Sequence, residues 1–177
     1  VGQRATVNAI GNAYGIYCVN SDSVKFSNNT IRVNIGSNAT THDGIFTSTG
    51  RNSNIDIISN NISDTATATT SQQSGIRNTL GALGTNNTVN IQNNSISNCS
   101  YNTVTTATIT YIQNLAGAFT INISGNTISN NTAGAGASAA TSTITGILQS
   151  TSNATVGATL NIFSNNVNNL TRAQSVG

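Results

Sequence analysis

The sequence predicts an all-β fold, a right-handed parallel β-helix (β-solenoid) of about five coils of 31–39 residues with three short strands per coil. Three observations carry that prediction. The first is a five-fold repeat ending in an Asn-rich corner: Val24–Ile31, Ile55–Ile62, Val89–Ile96, Ile121–Ile128 and Leu160–Val167. Its second apolar residues, Phe26, Ile57, Ile91, Ile123 and Ile162, are 31, 34, 32 and 39 residues apart. A period in this range marks a solenoid or array. The second is a landmark upstream of each corner: Gly15-Ile16, Gly44-Ile45, Gly75-Ile76, Tyr111-Ile112 and Gly146-Ile147. The third is composition: 177 residues, 6% charged, 36% hydrophobic, with no Pro, Met or Trp. Regular Ile and Val positions in so polar a chain separate it from disordered sequences, which lack periodic apolar residues.

Each unit reads as Gly-Ile, a turn, an apolar-x-apolar pair, the Asn corner, Ile-Ser, and a Thr/Ala/Ser-rich return. The pairs Val24/Phe26, Ile55/Ile57, Val89/Ile91, Ile121/Ile123 and Leu160/Ile162 place both side chains on one face of a strand. Lys25, Asp56, Asn90, Asn122 and Asn161 then face the other way. Strands this short bury a face only by stacking on the equivalent strand of the next coil. The corner residues Asn28, Asn29, Asn60, Asn61, Asn93, Asn94, Asn126, Asn165 and Asn166 are read as structural. Asn tolerates the left-handed backbone of a tight turn, and its amide satisfies turn groups or stacks as a ladder. The returns around 38–41, 65–70, 103–110 and 133–145 are expected to be variable loops on one side of the solenoid.

Residues 1–177 read as one domain, with 1–14 the tail of a preceding coil and 15–177 the coils. No polar cap is evident at either end. Two outcomes are therefore expected: a piece of a longer array, or end-to-end self-association. Val1 in place of an initiator Met reads as processing or as a piece of a longer protein. No apolar run reaches the length of a membrane helix, so no membrane span is expected.

The chemistry-bearing residues are few. Net charge is +2 from scattered Lys and Arg, which argues against nucleic acid as a partner. Cys18 and Cys99 fall in different coils, too far apart for a disulfide, and with a single His they make a poor metal site. No metal and no cofactor is expected. Lys25 and Asp56 occupy the same position in adjacent coils and read as a surface ion pair. Asp22 with Asp56, and His42-Asp43, are weighed as catalytic groups and set aside, so the chain is read as non-enzymatic. Tyr17, Phe46 and Arg77 share the position after the Gly-Ile landmark. An aromatic, aromatic, Arg column of this kind can contact a glycan or a cell-surface partner. Short glycosylation-like matches occur at Asn38-Ala39-Thr40, Asn153-Ala154-Thr155, Asp22-Ser23-Val24 and Asp64-Thr65-Ala66. Thr67-Ala68-Thr69, Thr106-Ala107-Thr108 and Thr143-Ile144-Thr145 raise ice binding, although counted from the Gly-Ile landmark they fall out of register.

Gly15-Ile16-Tyr17 and Val89–Ser97 give units of the form Gly-Ile-Tyr, then apolar-x-Ile-x-Asn-Asn-x-Ile-Ser. These resemble the parallel β-helix repeats of large secreted bacterial proteins, especially the cell-surface and adhesin-like proteins of Bacteroidota. The resemblance covers Gly15 to Leu170. It implies a secreted, extracellular, surface-located protein with a structural or adhesive role, and it transfers no catalytic residue. A polysaccharide-binding or polysaccharide-degrading β-helix is the alternative.

Overall fold

The structure is a computed structural model that describes residues 4–7, 12–38, 40–104, 107–134, 143–151 and 156–172. It is all-β among these residues, and every strand pairing is parallel. Three strands make a coil, and equivalent strands stack into three sheets. Sheet I holds β2 (Ala13–Val19), β5 (His42–Arg51), β8 (Gln73–Ala82), β12 (Thr108–Asn114) and β15 (Thr143–Gln149). Sheet II holds β3 (Ser23–Ser27), β6 (Asn54–Ile58), β9 (Thr88–Gln92), β13 (Thr120–Ser124) and β16 (Thr159–Phe163). Sheet III holds β1 (Arg4–Val7), β4 (Thr30–Asn38), β7 (Asn61–Thr69), then β10 (Ser95–Ser97) with β11 (Ser100–Val104) as one broken rung, β14 (Thr127–Ala133) and β17 (Asn166–Arg172). Five rungs in sheets I and II and six in sheet III amount to about four turns of a β-solenoid.

The registers match the repeat. Val24, Ile55, Val89, Ile121 and Leu160 are paired in succession across sheet II, as are Phe26, Ile57, Ile91, Ile123 and Ile162. In sheet I the column is Ile16, Ile45, Ile76, Ile112 and Ile147; in sheet III it is Ile31, Ile62, Ile96, Ile128 and Val167. Apart from Leu160, Ile162 and Val167 of the last coil, which are exposed, these side chains meet in one interior core. Burying each is worth roughly 1.5–3 kcal/mol.

The Gly of the landmark has a steric origin. A Cβ on Gly44 would lie 2.4 Å from Ile62 Cγ2 and 2.6 Å from the Gly75 carbonyl oxygen, and Gly15 repeats this against Ile31 and Gly44. At Gly15 and Gly44 only hydrogen fits between sheet I and the sheet III core.

The return segments differ from the expectation of loops. Strand β7 runs through 65–69, and β11 and β12 take 103–104 and 108–110, whereas of 133–145 the strands hold Ala133 at the end of β14 and Thr143–Thr145 at the start of β15. Their alternating Thr, Ala and Ser suit a strand with one small inward face, a pattern that low hydrophobicity conceals. Residues 105–106 and 135–142 lie outside the described residues.

Candidate functional site

The Asn residues grouped at one corner occupy three distinct columns. The first comprises Asn28, Ser59, Asn93, Gly125 and Ser164, all at positive φ of 53–65°; this is the left-handed turn, where Asn and Gly are least strained. The second comprises Asn29, Asn60, Asn94, Asn126 and Asn165, and it is the ladder. Each of the first four donates its backbone N–H and its Nδ2 to the Oδ1 of the next, at 2.9–3.1 Å. From Asn60 onward each Nδ2 also donates to a carbonyl of the preceding coil: Phe26, Ile57, Ile91 and Ile123. The third column contains Asn61 and Asn166, which open β7 and β17. Asn60, Asn94 and Asn126 are buried and fully bonded, as buried amides require.

Two further ladders escaped the sequence reading. Cys18, Thr47, Asn78, Asn114 and Gln149 form one column of sheet I, in which the Thr47 hydroxyl donates to Asn78 and Asn78 Nδ2 to Asn114. Its residue types change coil by coil, so no repeat signal marks it. On the outer face of sheet II, Asn161 Nδ2 donates to Asn122 Oδ1, Asn122 to Asn90, and Asn90 to Asp56 Oδ1, each at 2.8 Å. Lys25 is the register neighbour of Asp56, but the ion pair expected between them is not formed. Asp56 instead terminates the Asn ladder, and the salt bridge among the described residues is Arg77–Asp43.

Tyr17, Phe46 and Arg77 are brought together as the repeat position predicts. Tyr17 and Phe46 rings stack at 5.2 Å, and the Arg77 guanidinium lies 3.7 Å from the Phe46 centroid. Phe46 is therefore held between a ring and a cation and is buried, while Tyr17 is exposed. Tyr14 joins the group, 4.8 Å from Tyr17 and 5.4 Å from Phe46. Strand alternation would separate positions 14 and 17, but Gly15 packs inward together with Ile16, so both tyrosines project from the same face. Arg77 also clamps Asp43 through Nε and Nη2, the latter at 2.6 Å. Burial raises the Asp43 carboxyl to about 6 against the opposing pull of Arg77. The column continues through Gln113, bonded to Gln72, to Leu148.

The remaining acidic and catalytic candidates have separate surroundings. His42 is a strand residue. It opens β5 in the column of Ala13, Gln73 and Ile109, fully buried with both ring nitrogens unbonded. Burial lowers it to about 4, and its neighbour Asp43 points outward to Arg77, so the two form no relay. Asp64 is inside the solenoid, in the core column after Val33. It accepts a hydrogen bond from the Tyr101 hydroxyl at 3.1 Å through Oδ2, while Oδ1 is unbonded. Burial raises it to about 7, and burial likewise raises the Cys99 thiol to about 12 and the Tyr101 and Tyr111 hydroxyls above their ordinary range. Tyr111 stands where the other coils carry Gly. Cys18 and Cys99 are free thiols.

Among the described residues, no three His, Cys, Asp or Glu gather in a way that could hold a metal ion, and no helix is long and apolar enough to cross a membrane. Of the Thr pairs, Thr67–Thr69 lies in sheet III and Thr143–Thr145 in sheet I, so they share no face; Thr106 lies outside the described residues. Outside the core, Thr30, Arg32, Asn61, Ser63, Ser97 and Asn98 line a shallow polar groove on sheet III. The chain matches no family model, and no curated protein or solved structure is significantly similar to it.

Proposed function

We propose that this chain is a non-enzymatic structural or adhesive module of a bacterial extracellular surface, a solenoid rod that is extended at its ends by further solenoid coils. One observation carries the reading. In the last coil, core residues that are sealed elsewhere are open: Ile162 is 46% exposed where Ile123 is 0%, and Leu160 is 53% exposed where Ile121 is 3%. Leaving these columns in water forfeits the burial that stabilises every interior coil, and the open strand edges beside them invite β-pairing. The repeat resemblance to secreted, adhesin-like Bacteroidota proteins supports the extracellular setting. Sedimentation and electron microscopy of the purified chain at rising concentration test the reading. Rods that lengthen along one axis are expected; dispersed monomers under all conditions would sink it.

The second reading is glycan contact at Tyr14, Tyr17, Phe46 and Arg77, favoured by the exposed Tyr17 ring beside a cation. A glycan array with binding abolished by Tyr17→Ala is its expected result. An array without binders removes it.

A further inference from the structure

The groove on the outer face of sheet III lies where two kinds of rung meet. Strands β4 and β7 pair without interruption from Thr30–Asn61 to Ile35–Ala66. The next rung is longer by one residue. Ile96 pairs with Ile62 and Ser100 with Thr65, so Ser97, Asn98 and Cys99 stand against Ser63 and Asp64. Such an insertion is a bulge, which bends the strand and re-aims its side chains. Asn98 takes it up at φ 57° and is exposed, whereas Cys99 turns into the core. Asn130 and Asn169, at φ 55° and 50°, carry the extra residue on through β14 and β17. The groove sits at the step between the narrower and the wider rungs. It is bounded by Thr30 and Arg32 on β4, Asn61 and Ser63 on β7, and Ser97 and Asn98 at the bulge.

Its polar groups are uncommitted. Two residues further along the same face, Thr65 Oγ1 donates to Asn34 Oδ1 at 3.0 Å and Thr132 Oγ1 to Ser100 Oγ at 3.3 Å, so this sheet can satisfy an outer column from within. In the groove it does not. Among the described residues the side chains of Thr30, Arg32, Asn61 and Ser63 bond to no other protein group, and Asn98 reaches only Ser97 Oγ, at 3.5 Å. Asn169 Nδ2 donates to Asn130 Oδ1 at 2.6 Å, yet that ladder stops short of Asn98. The charge on this face has one sign. The chain has four acidic residues, Asp22, Asp43, Asp56 and Asp64. Asp64 faces the interior, Asp43 and Asp56 belong to sheets I and II, and Asp22 lies in the turn between them. No acidic side chain shares the outer face of sheet III with Arg32.

We propose that this groove binds an acidic polysaccharide, with the Arg32 guanidinium on a carboxylate or sulfate group and Asn61, Ser63, Ser97 and Asn98 on the sugar hydroxyls. An Arg fork pairs with either oxyanion through two hydrogen bonds. Hydroxyl and amide side chains supply both donors and acceptors, as the hydroxyls of a sugar ring require. The groove holds about 280 Å³, less than the ~300–1,000 Å³ of sites that enclose a whole small molecule. It spans three rungs, about 10 Å along the solenoid. Those dimensions suit one or two rings of a longer chain passing across it. No aromatic ring lines the groove for a nucleobase to stack on, and no exposed apolar side chain for a peptide to anchor on. Every rung that builds it is paired on both sides, and it lies on a different sheet from the Tyr17 cluster.

Isothermal titration calorimetry on the whole chain, at low and at high salt, tests this with an oligogalacturonate, a sulfated oligosaccharide, an uncharged oligosaccharide of equal length and an oligothymidylate. The two acidic sugars are expected to bind, more weakly at high salt, and the uncharged one to bind at least about tenfold more weakly. Arg32→Gln should weaken binding of the acidic sugars about tenfold, and Asn98→Ala about threefold. Arg32 and Asn98 are exposed, so both variants are expected to keep the fold, which circular dichroism checks. Arg51→Gln removes the same charge from sheet I, and Tyr17→Ala opens the aromatic cluster; each should leave the affinity within about twofold of the parent. A preference for one acidic sugar supports the site and names its oxyanion. Absence of binding by both overturns the proposal. Equal losses in Arg32→Gln and Arg51→Gln overturn it as well, since diffuse charge would then account for the attraction. Binding abolished by Tyr17→Ala and untouched by Arg32→Gln overturns the groove and assigns the contact to the aromatic cluster. Oligothymidylate bound as tightly as the sugars, with the same dependence on Arg32, overturns the polysaccharide in favour of a nucleic acid.

Discussion

Replacing Asp64 by Asn should flatten the pH dependence of this protein's stability. Asp64 sits in the core column with one oxygen bonded to Tyr101, the other unbonded, and Cys99 and Tyr111 close by. Burial moves its proton affinity from an ordinary value of 3.8 to about 7. Each tenfold displacement is worth about 1.4 kcal/mol, so ionising Asp64 in place costs the fold about 4 kcal/mol. The folded value lies above the unfolded one. The stability is therefore complete below about pH 4 and is lost as pH rises to about 7. Asp43, raised to about 6 by burial, acts in the same direction. His42, lowered to about 4 by burial, acts in the opposite one: its contribution is complete above pH 6.5 and is lost as pH falls to about 4. These last two are of roughly equal size and largely offset each other, which leaves Asp64 to set the slope. Unfolding free energies from urea curves between pH 4.5 and 9 should fall by about 3 kcal/mol for the parent chain and stay within about 1 kcal/mol for Asp64→Asn. The Asn oxygen still accepts from Tyr101, so little is lost at low pH. Parallel curves for the two proteins would refute the reasoning, because the carboxylate would then be carried without penalty.

Ile91→Asn places an unpaired amide in the middle of a sealed column and should cost about 4 kcal/mol by denaturant unfolding; an equally stable variant would mean the column is misassigned. Asn94→Ala removes the acceptor of Asn60 and the donor to Asn126, and a loss of about 2–4 kcal/mol is expected on the same assay. Gly44→Ala drives a methyl against Ile62 and the Gly75 carbonyl, which should destabilise by roughly 1–3 kcal/mol, whereas an ordinary exposed Gly→Ala would be neutral.

Much of the fold is legible because the core residues are both periodic and of one chemical type. Ile45, Ile57 and Ile62 recur at fixed offsets, so spacing alone places them on three sheets. Tyr17, Phe46 and Arg77 could be aligned for the same reason. What escaped depends on contacts between coils whose residue types do not repeat. The Thr47–Asn78–Asn114 ladder is invisible to a search for like residues. Asp64 sits in a Thr- and Ala-rich stretch that reads as surface, although its register partner is Val33. Tyr14 could not be placed beside Tyr17 by counting, since that juxtaposition needs Gly15 and Ile16 to turn inward together. Lys25 and Asp56 are neighbours as expected, yet Asn90 supplies the contact to the carboxylate at a geometry that spacing does not encode.

The corner ladder restricts how such a chain can change in length. Every buried ladder amide is satisfied by two residues in the coil before it, an Asn and a backbone carbonyl, and by one Asn in the coil after it. Deleting or duplicating an entire coil closes the ladder again with no group stranded, whereas removing half a coil leaves amides buried without partners. Growth and loss in this solenoid are therefore quantised. Units of about 31–39 residues can be gained or dropped as wholes, and the tolerance for smaller insertions is confined to the turns between strands, where no rung depends on the residues beside it.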